Sequence, residues 1–187
     1  MSDSARPTAV LFVCLGNICR SPLAKAVFAH QAAARLGPAF PTRLRIDSCG
    51  TGHWHVGGPA DPRTIAVASR HAIPLDHVAR QLDPATDFPL PGGFDWLIAM
   101  DRDNRDNLLH AGAPPHAVRL MRSFDPALAG EPEHRLDVPD PYLGGPEGFD
   151  RVLAMLQTSC AGLLAHILSH PLPASHTNAH PRTTTRP

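Results

Sequence analysis

The feature that most constrains the fold is an alternation of two kinds of segment. Short apolar runs of strand length take turns with longer stretches rich in helix formers. The first run, "TAVLFV" (8–13), lacks the apolar–polar alternation of a half-exposed strand, as a strand buried on both faces should. "RLRIDSCG" (43–50), "FDWLIAM" (94–100) and "AVRLM" (117–121) read as three more strands. Helical stretches lie between them. Ser21-Pro22 offers a helix start with Pro at a tolerated early position, and "LAKAVFAHQAAARL" continues it until Gly37-Pro38. "ADPRTIAVASRH" (60–71) is a helix with an Asp-Pro start, and "DRDNRDNLLHAG" is one ended by Gly112. In the last helix Phe149, Val152, Leu153, Leu156, Cys160, Leu163, Leu164 and Ile167 fall at three- and four-residue steps. This order predicts an α/β fold: a single domain with a four-stranded parallel sheet and helices on both faces, of flavodoxin-like type.

At 187 residues the chain is long enough for one domain with a real core and too short for two of ordinary size. The expected division is a flexible N-terminus (1–7), a domain (8–169) and a disordered Pro-, His- and Thr-rich tail (170–187) without apolar periodicity. Lys plus Arg and Asp plus Glu number 17 each, so no electrostatic footprint for nucleic acid or an anionic membrane is visible. No unbroken apolar run approaches the roughly 18 residues of a membrane span. The N-terminus "MSDSARPTAV" lacks the plan of a signal peptide, and a cytoplasmic location is expected. The four cysteines, Cys14, Cys19, Cys49 and Cys160, do not suggest a disulfide framework, and no Cys/His spacing of a metal site is seen.

The chemistry is concentrated in "VLFVCLGNICRSPLAKAVF" (10–28). In a parallel α/β unit the crevice lies at the carboxyl ends of the strands, which is where Cys14 should sit. The loop after it turns into a helix, and its successive N–H groups can converge on an anion with help from the helix dipole. Arg20 supplies a planar, always charged fork for two phosphate oxygens. The same positive field favours Cys14 as thiolate. A buried structural Cys beside a surface Arg is the plain alternative, and the strand, the Gly-Asn turn and the Ser-Pro helix start weigh against it. A nucleotide-binding loop would need Gly-Lys-Ser/Thr at the helix start, which is absent.

With these residues in view, "VCLGNICRSPLA" resembles the active-site loop of low-molecular-weight protein tyrosine phosphatases. "DPYLGG" (140–145) resembles that family's general-acid loop, and "DSCGTGHWHVGGPADPR", "HVARQL" and "FDWLIAMD" match family segments in order, over roughly residues 8–168. The resemblance implies hydrolysis of phosphotyrosine monoesters through a phosphocysteine on Cys14, without cofactor or metal. It implies a phosphate-binding loop of Leu15, Gly16, Asn17, Ile18, Cys19, Arg20 and Ser21, with Ser21 donating to the Cys14 sulfur. Asp140 becomes general acid and then general base; taken alone it could be a turn-initiating Asp before Pro. Ser48 and His77 match the residues that hold Asn17, where the alternatives are a strand-end cap and a surface His. Trp54 and Tyr142 match the aromatic walls of the cleft, with Ile18 inside it; the alternative is two partly buried loop aromatics. Asp101 matches an Asp near the site and equally suits a helix N-cap. By the same resemblance, peroxide should join Cys14 and Cys19 reversibly, unless Cys19 is only a small apolar loop residue.

Some positions depart from the family. Leu143 stands where many members have a second aromatic, and is expected to soften one cleft wall. "PATDFPLPGG" (84–93) reads as an insert. The implied partner is a phosphotyrosine protein or peptide, and a cognate tyrosine kinase is left open. Rival activities are a protein-arginine phosphatase, a thioredoxin-linked arsenate reductase and a non-catalytic phosphate-binding module. The arsenate reductase would need two more cysteines near "HVARQLDPATDF" (77–88), which has none. Related arginine phosphatases carry Thr where this chain has Ile18, which favours an aromatic leaving group.

Overall fold

Strand β1 (Thr8–Cys14) explains its own lack of alternation. Val10, Phe12 and Cys14 pack into one core, while Ala9, Leu11 and Val13 pack into a second core on the other side. Successive strand side chains point to opposite faces, so a strand covered on both sides must be apolar throughout. The computed structural model describes residues 6–88 and 92–170. The expected tail, from 171 onward, and residues 1–5 of the expected flexible N-terminus lie outside them.

All strand pairs are parallel, in the order β2–β1–β3–β4, with β2 at Leu44–Gly50, β3 at Trp96–Ala99 and β4 at Val118–Leu120. The register sets Cys14 beside Gly50 and Val13 beside Ala99. The chain moves from β1 to β2 on one side and returns across β1 to β3 on the other. The crevice at such a reversal opens at the carboxyl ends of β1 and β3.

Helix α1 (Arg20–Leu36) begins one residue before the expected Ser21 and ends at Gly37, whose φ of 54° is in the left-handed region that glycine occupies at little cost. One turn, α2 (Phe40–Arg43), precedes β2. Helix α3 (Pro62–Arg70) starts at an Asp61 cap, since the Asp61 carboxylate accepts the Arg63 N–H at 2.8 Å. The segment expected to be an insert contains a structural element, α4 (Pro84–Asp87). Asp87 is only 3% exposed and takes a fork of two bonds from Arg80, at 2.9 and 3.0 Å. A paired carboxylate buried to this degree ties the segment into the fold. Helix α5 (Arg102–His110) follows β3 and is capped by Asp101, which accepts the Asn104 N–H at 2.7 Å.

Helix α6 (Pro146–Ser169) has length and composition enough to cross a membrane, although its sequence has no unbroken apolar run of that length. Its stripe from Phe149 to Ile167 is instead part of the first core, together with Leu23, Val27 and Phe28 of α1 and Val67 of α3. The second face of the sheet is closed by Leu108 of α5 together with Phe88, Phe94 and Leu136.

Candidate active site

The loop from Cys14 to Arg20 is fastened by its carbonyls. Cys14 O accepts the Thr51 N–H at 2.9 Å, and Leu15 O accepts the Gly52 N–H at 2.8 Å. Asn17 O accepts from the His77 ring at 2.7 Å, Ile18 O from the Asp61 N–H at 2.9 Å, and Cys19 O from the Leu23 N–H at 3.4 Å. In a trans peptide the N–H points opposite to the C=O. Carbonyls held outward therefore turn the next N–H groups, those of Leu15, Gly16, Ile18, Cys19 and Arg20, toward the inside of the loop. The Asn17 N–H points at the Cys14 sulfur, at 3.3 Å. This is an anion cradle with a sulfur atom at its base.

Asn17 makes the turn possible. Its φ of 55° is left-handed, which Asn tolerates better than most residues. Its buried side chain donates to Ser21 Oγ at 2.9 Å and Ser48 Oγ at 3.1 Å, and accepts the Arg80 N–H at 2.9 Å. The structure thus brings Ser48 and His77 to Asn17 from two separate segments. Ser21 Oγ lies 3.0 Å from Cys14 Sγ. With the Asn17 amide donating into Ser21 Oγ, the single hydroxyl proton has two acceptors in reach, the Cys14 sulfur and, at 3.3 Å, the Cys49 carbonyl.

The His77 ring nitrogen facing the Asn17 carbonyl must be the donor, since a carbonyl only accepts. Burial pushes the His77 pKa below its usual 6.5. A histidine kept neutral in the fold is protonated first in the unfolded chain. Its contribution is full above about pH 6.5 and is lost as the pH falls further. The thermal midpoint should accordingly drop on acidification from pH 7 to 5, and His77→Gln should shrink that drop in a melting series. An identical pH dependence in the two proteins would contradict this role.

Arg20 is 2% exposed. Its guanidinium donates to Asp101, to Val138 O at 3.0 Å and to Asp140 Oδ2 at 2.6 Å. Its buried Nε–H has no acceptor among the described residues. Asp101 thus serves both readings the sequence left open, capping α5 and holding Arg20. Burial raises the Cys19 thiol to about 12, with the negative charge of Asp61 adding to the effect.

A cavity of about 120 Å³ opens above the cradle. Cys14, Leu15, Gly16, Ile18, Cys19, Arg20, Trp54, Asp140 and Tyr142 line it, so residues from three distant motifs meet there. Leu143 does not belong to it. The residue is 96% exposed and is not among those that line the cavity beside Tyr142. His55 lines the cavity as well, with its ring 6.1 Å from that of Tyr142. Sequence reasoning missed His55, and its place next to Trp54 in "HWHV" was the available signal. A larger open groove of about 760 Å³ between α1 and α6 shares no lining residue with this site.

The site is thus a cradle of backbone N–H groups at the switch point of a parallel sheet, with a thiol at its base and a carboxyl at its mouth, an arrangement suited to a phosphatase. The chain belongs to the low molecular weight phosphotyrosine protein phosphatase family, which it matches over residues 9–171. It is 46% identical over 163 residues to a low molecular weight protein-tyrosine-phosphatase of Streptomyces coelicolor, covering 84% of this chain and 92% of that protein. Among solved structures, YfkJ from Bacillus subtilis superposes with a TM-score of 0.76 at 33% identity, covering 89% of this chain and 98% of the other. A Drosophila arginine phosphatase is also similar, with a TM-score of 0.71 at 28% identity, covering 84% and 96%.

Proposed function

We propose that the protein hydrolyses phosphotyrosine in proteins or peptides, with Cys14 as nucleophile, Arg20 and the loop N–H groups as the phosphate cradle, and Asp140 as acid and base. The observation that supports this most is the Cys14 sulfur at the base of a loop in which the carbonyls of Cys14, Leu15, Asn17, Ile18 and Cys19 are each held by a hydrogen bond. In the first step the Cys14 thiolate attacks phosphorus, the bond from phosphorus to the phenolic oxygen breaks, and Asp140 gives its proton to that oxygen. The equatorial oxygens are held by the N–H groups and by the Arg20 fork, which turns from Asp140 to the phosphate. Asp101 keeps the other side of Arg20 fixed. In the second step water attacks the phosphocysteine, its proton passes to the Asp140 carboxylate, and the thiolate leaves with a hydrogen bond from Ser21. Turnover of a phosphotyrosine peptide tests this directly, and its absence with para-nitrophenyl phosphate as well would leave a phosphate-binding module. Four unpaired cysteines suit a reducing, cytoplasmic setting. The substrate class presupposes a tyrosine kinase upstream.

Ile18 carries the choice between phosphotyrosine and phosphoarginine. It is buried at the cavity wall, where an apolar side chain suits a phenyl ring. A guanidino leaving group there would lose hydrogen bonds worth about 1–3 kcal/mol, or roughly ten- to a hundredfold in discrimination. The ratio of kcat/KM for the two phosphopeptides should favour tyrosine, and Ile18→Thr should move it toward arginine. A native preference for phosphoarginine, or an Ile18→Thr ratio that stays put, would overturn this assignment. Phosphoserine should be poor, because its shorter side chain does not reach past Trp54 and Tyr142.

Cys14 and Cys19 both line the cavity and are unpaired. Mild peroxide should join them in a disulfide that removes activity and is reversed by thiols. Such a bond intercepts Cys14 before it reaches the irreversible acids. Mass spectrometry of the treated protein decides, and over-oxidised Cys14 without recovery would count against the pair.

A further inference from the structure

Arg63 lies outside both motifs, yet it joins the loops that carry them. It is the second residue of α3, and its guanidinium grips the Asp61 cap, with Nε donating to Oδ1 at 3.0 Å and Nη2 to Oδ2 at 2.8 Å. Its outer edge reaches the loop after Asp140. There Nη1 donates to Gly144 O and Nη2 to Tyr142 O, each at 3.0 Å. The guanidinium also lies 4.6 Å over the Phe149 ring at the start of α6. Asp61 is buried, and its N–H donates to Ile18 O in the cradle at 2.9 Å. The nucleophile loop and the acid loop thus hang from the two sides of one Asp61–Arg63 unit.

We propose that Arg63 is a positioning residue for Asp140, one that sets the acid over the cradle without touching substrate. This rests on the phosphatase reading given above. The 140–145 segment has little apolar anchorage at its tip, where Tyr142 and Leu143 are both exposed. Its ties are a turn in which Asp140 Oδ1 accepts the Tyr142 N–H at 3.0 Å, a Gly144 to Pro141 bond at 3.0 Å, the Gly148 N–H to Gly145 O bond at 3.0 Å that joins its far end to α6, the buried Pro141, the Asp140–Arg20 pair, and Arg63. The first two are internal to the segment and do not locate it. The Arg20 pair is given up when Arg20 turns to the phosphate and Asp140 takes on a proton. At the moment of proton transfer, the side-chain hydrogen bonds that still reach the segment from elsewhere among the described residues are those of Arg63. A lysine could not replace it, because one ammonium cannot span a carboxylate and two carbonyls with the geometry of a planar fork.

The test is a double-mutant cycle read on two substrates. Arg63→Met should lower kcat/KM for phenyl phosphate by roughly ten- to a hundredfold, the scale of a misplaced catalytic group. For para-nitrophenyl phosphate, whose leaving group needs little protonation, the loss should stay within about threefold. Arg63→Lys should lose most of the phenyl phosphate activity although it keeps the charge. In an Asp140→Asn background, Arg63→Met should add no further leaving-group dependence, since the group it positions is already gone. Inhibition by inorganic phosphate and the thermal midpoint report whether the cradle and fold are intact. Equal losses on both substrates, no loss on either, or additive losses in the double variant would overturn the proposal. A native protein inactive on both substrates would instead overturn the phosphatase reading.

Discussion

Cys14→Ser should reduce turnover of para-nitrophenyl phosphate and phosphotyrosine peptides by roughly 10⁴-fold or more, the scale reached when a covalent nucleophile is removed. The reason is electronic rather than steric. A serine hydroxyl fits the space at the base of the cradle, but it is far harder to ionise than a thiol. The neighbours that favour an anion there, the Asn17 N–H at 3.3 Å and Ser21 Oγ at 3.0 Å, are too few to make an alkoxide at neutral pH. The outward-fastened carbonyls and Arg20 are untouched by the change, so phosphate and vanadate should still bind with near-native affinity. Isothermal titration with phosphate alongside the turnover assay separates the two effects. Native turnover should also survive EDTA, because Arg20 and the loop N–H groups already supply the positive field. Turnover within tenfold of native in Cys14→Ser would show that another atom attacks phosphorus.

Some of this arrangement was legible in the sequence because local rules fixed it. A short apolar run of strand length before a Gly-Asn turn fits a strand covered on both faces, so β1 and the position of Cys14 at its end followed from residues 8–17. Asp61 and Asp101 announced their helices because a side-chain cap is a contact between near neighbours. Arg20 was visible as a fork at a helix start, but not its ties to Asp101 and Val138, which lie 81 and 118 residues away. The same limit hid α4. "PATDFPLPGG" reads as a loose insert until Arg80 is seen to grip Asp87. Leu143 shows a further limit. Resemblance gives a residue's place along the chain, whereas the course of the loop depends on the turn at Asp140 and on the bonds from Arg63, 79 and 81 residues away, to the carbonyls of Tyr142 and Gly144.

Asp140→Asn should lower kcat/KM for phenyl phosphate by about 100- to 10,000-fold, the usual worth of a general acid. The parameter matters, since kcat/KM covers the steps up to release of the first product, where the leaving group departs. Phenol has a pKa of about 10, so its oxygen needs a proton as the bond to phosphorus breaks. Asn offers an N–H at the same place but has no proton to give up. Para-nitrophenolate is a much weaker base and leaves unaided, so its kcat/KM should fall far less. A plot of log kcat/KM against leaving-group pKa should thus be shallow for the native protein and steep for the variant. In kcat a second effect enters. The phosphocysteine still has to be hydrolysed, and without the Asp140 carboxylate to take the water proton this step slows for every substrate. Electrostatics opposes part of the loss. Asp140 shares Arg20 with Asp101, and removing one negative charge leaves Arg20 freer for phosphate. Phosphate affinity should therefore hold or rise in Asp140→Asn, even as turnover of phenyl phosphate collapses. Small and equal losses on both substrates would assign the proton to another residue, and His55, which lines the same cavity, would be the next to replace.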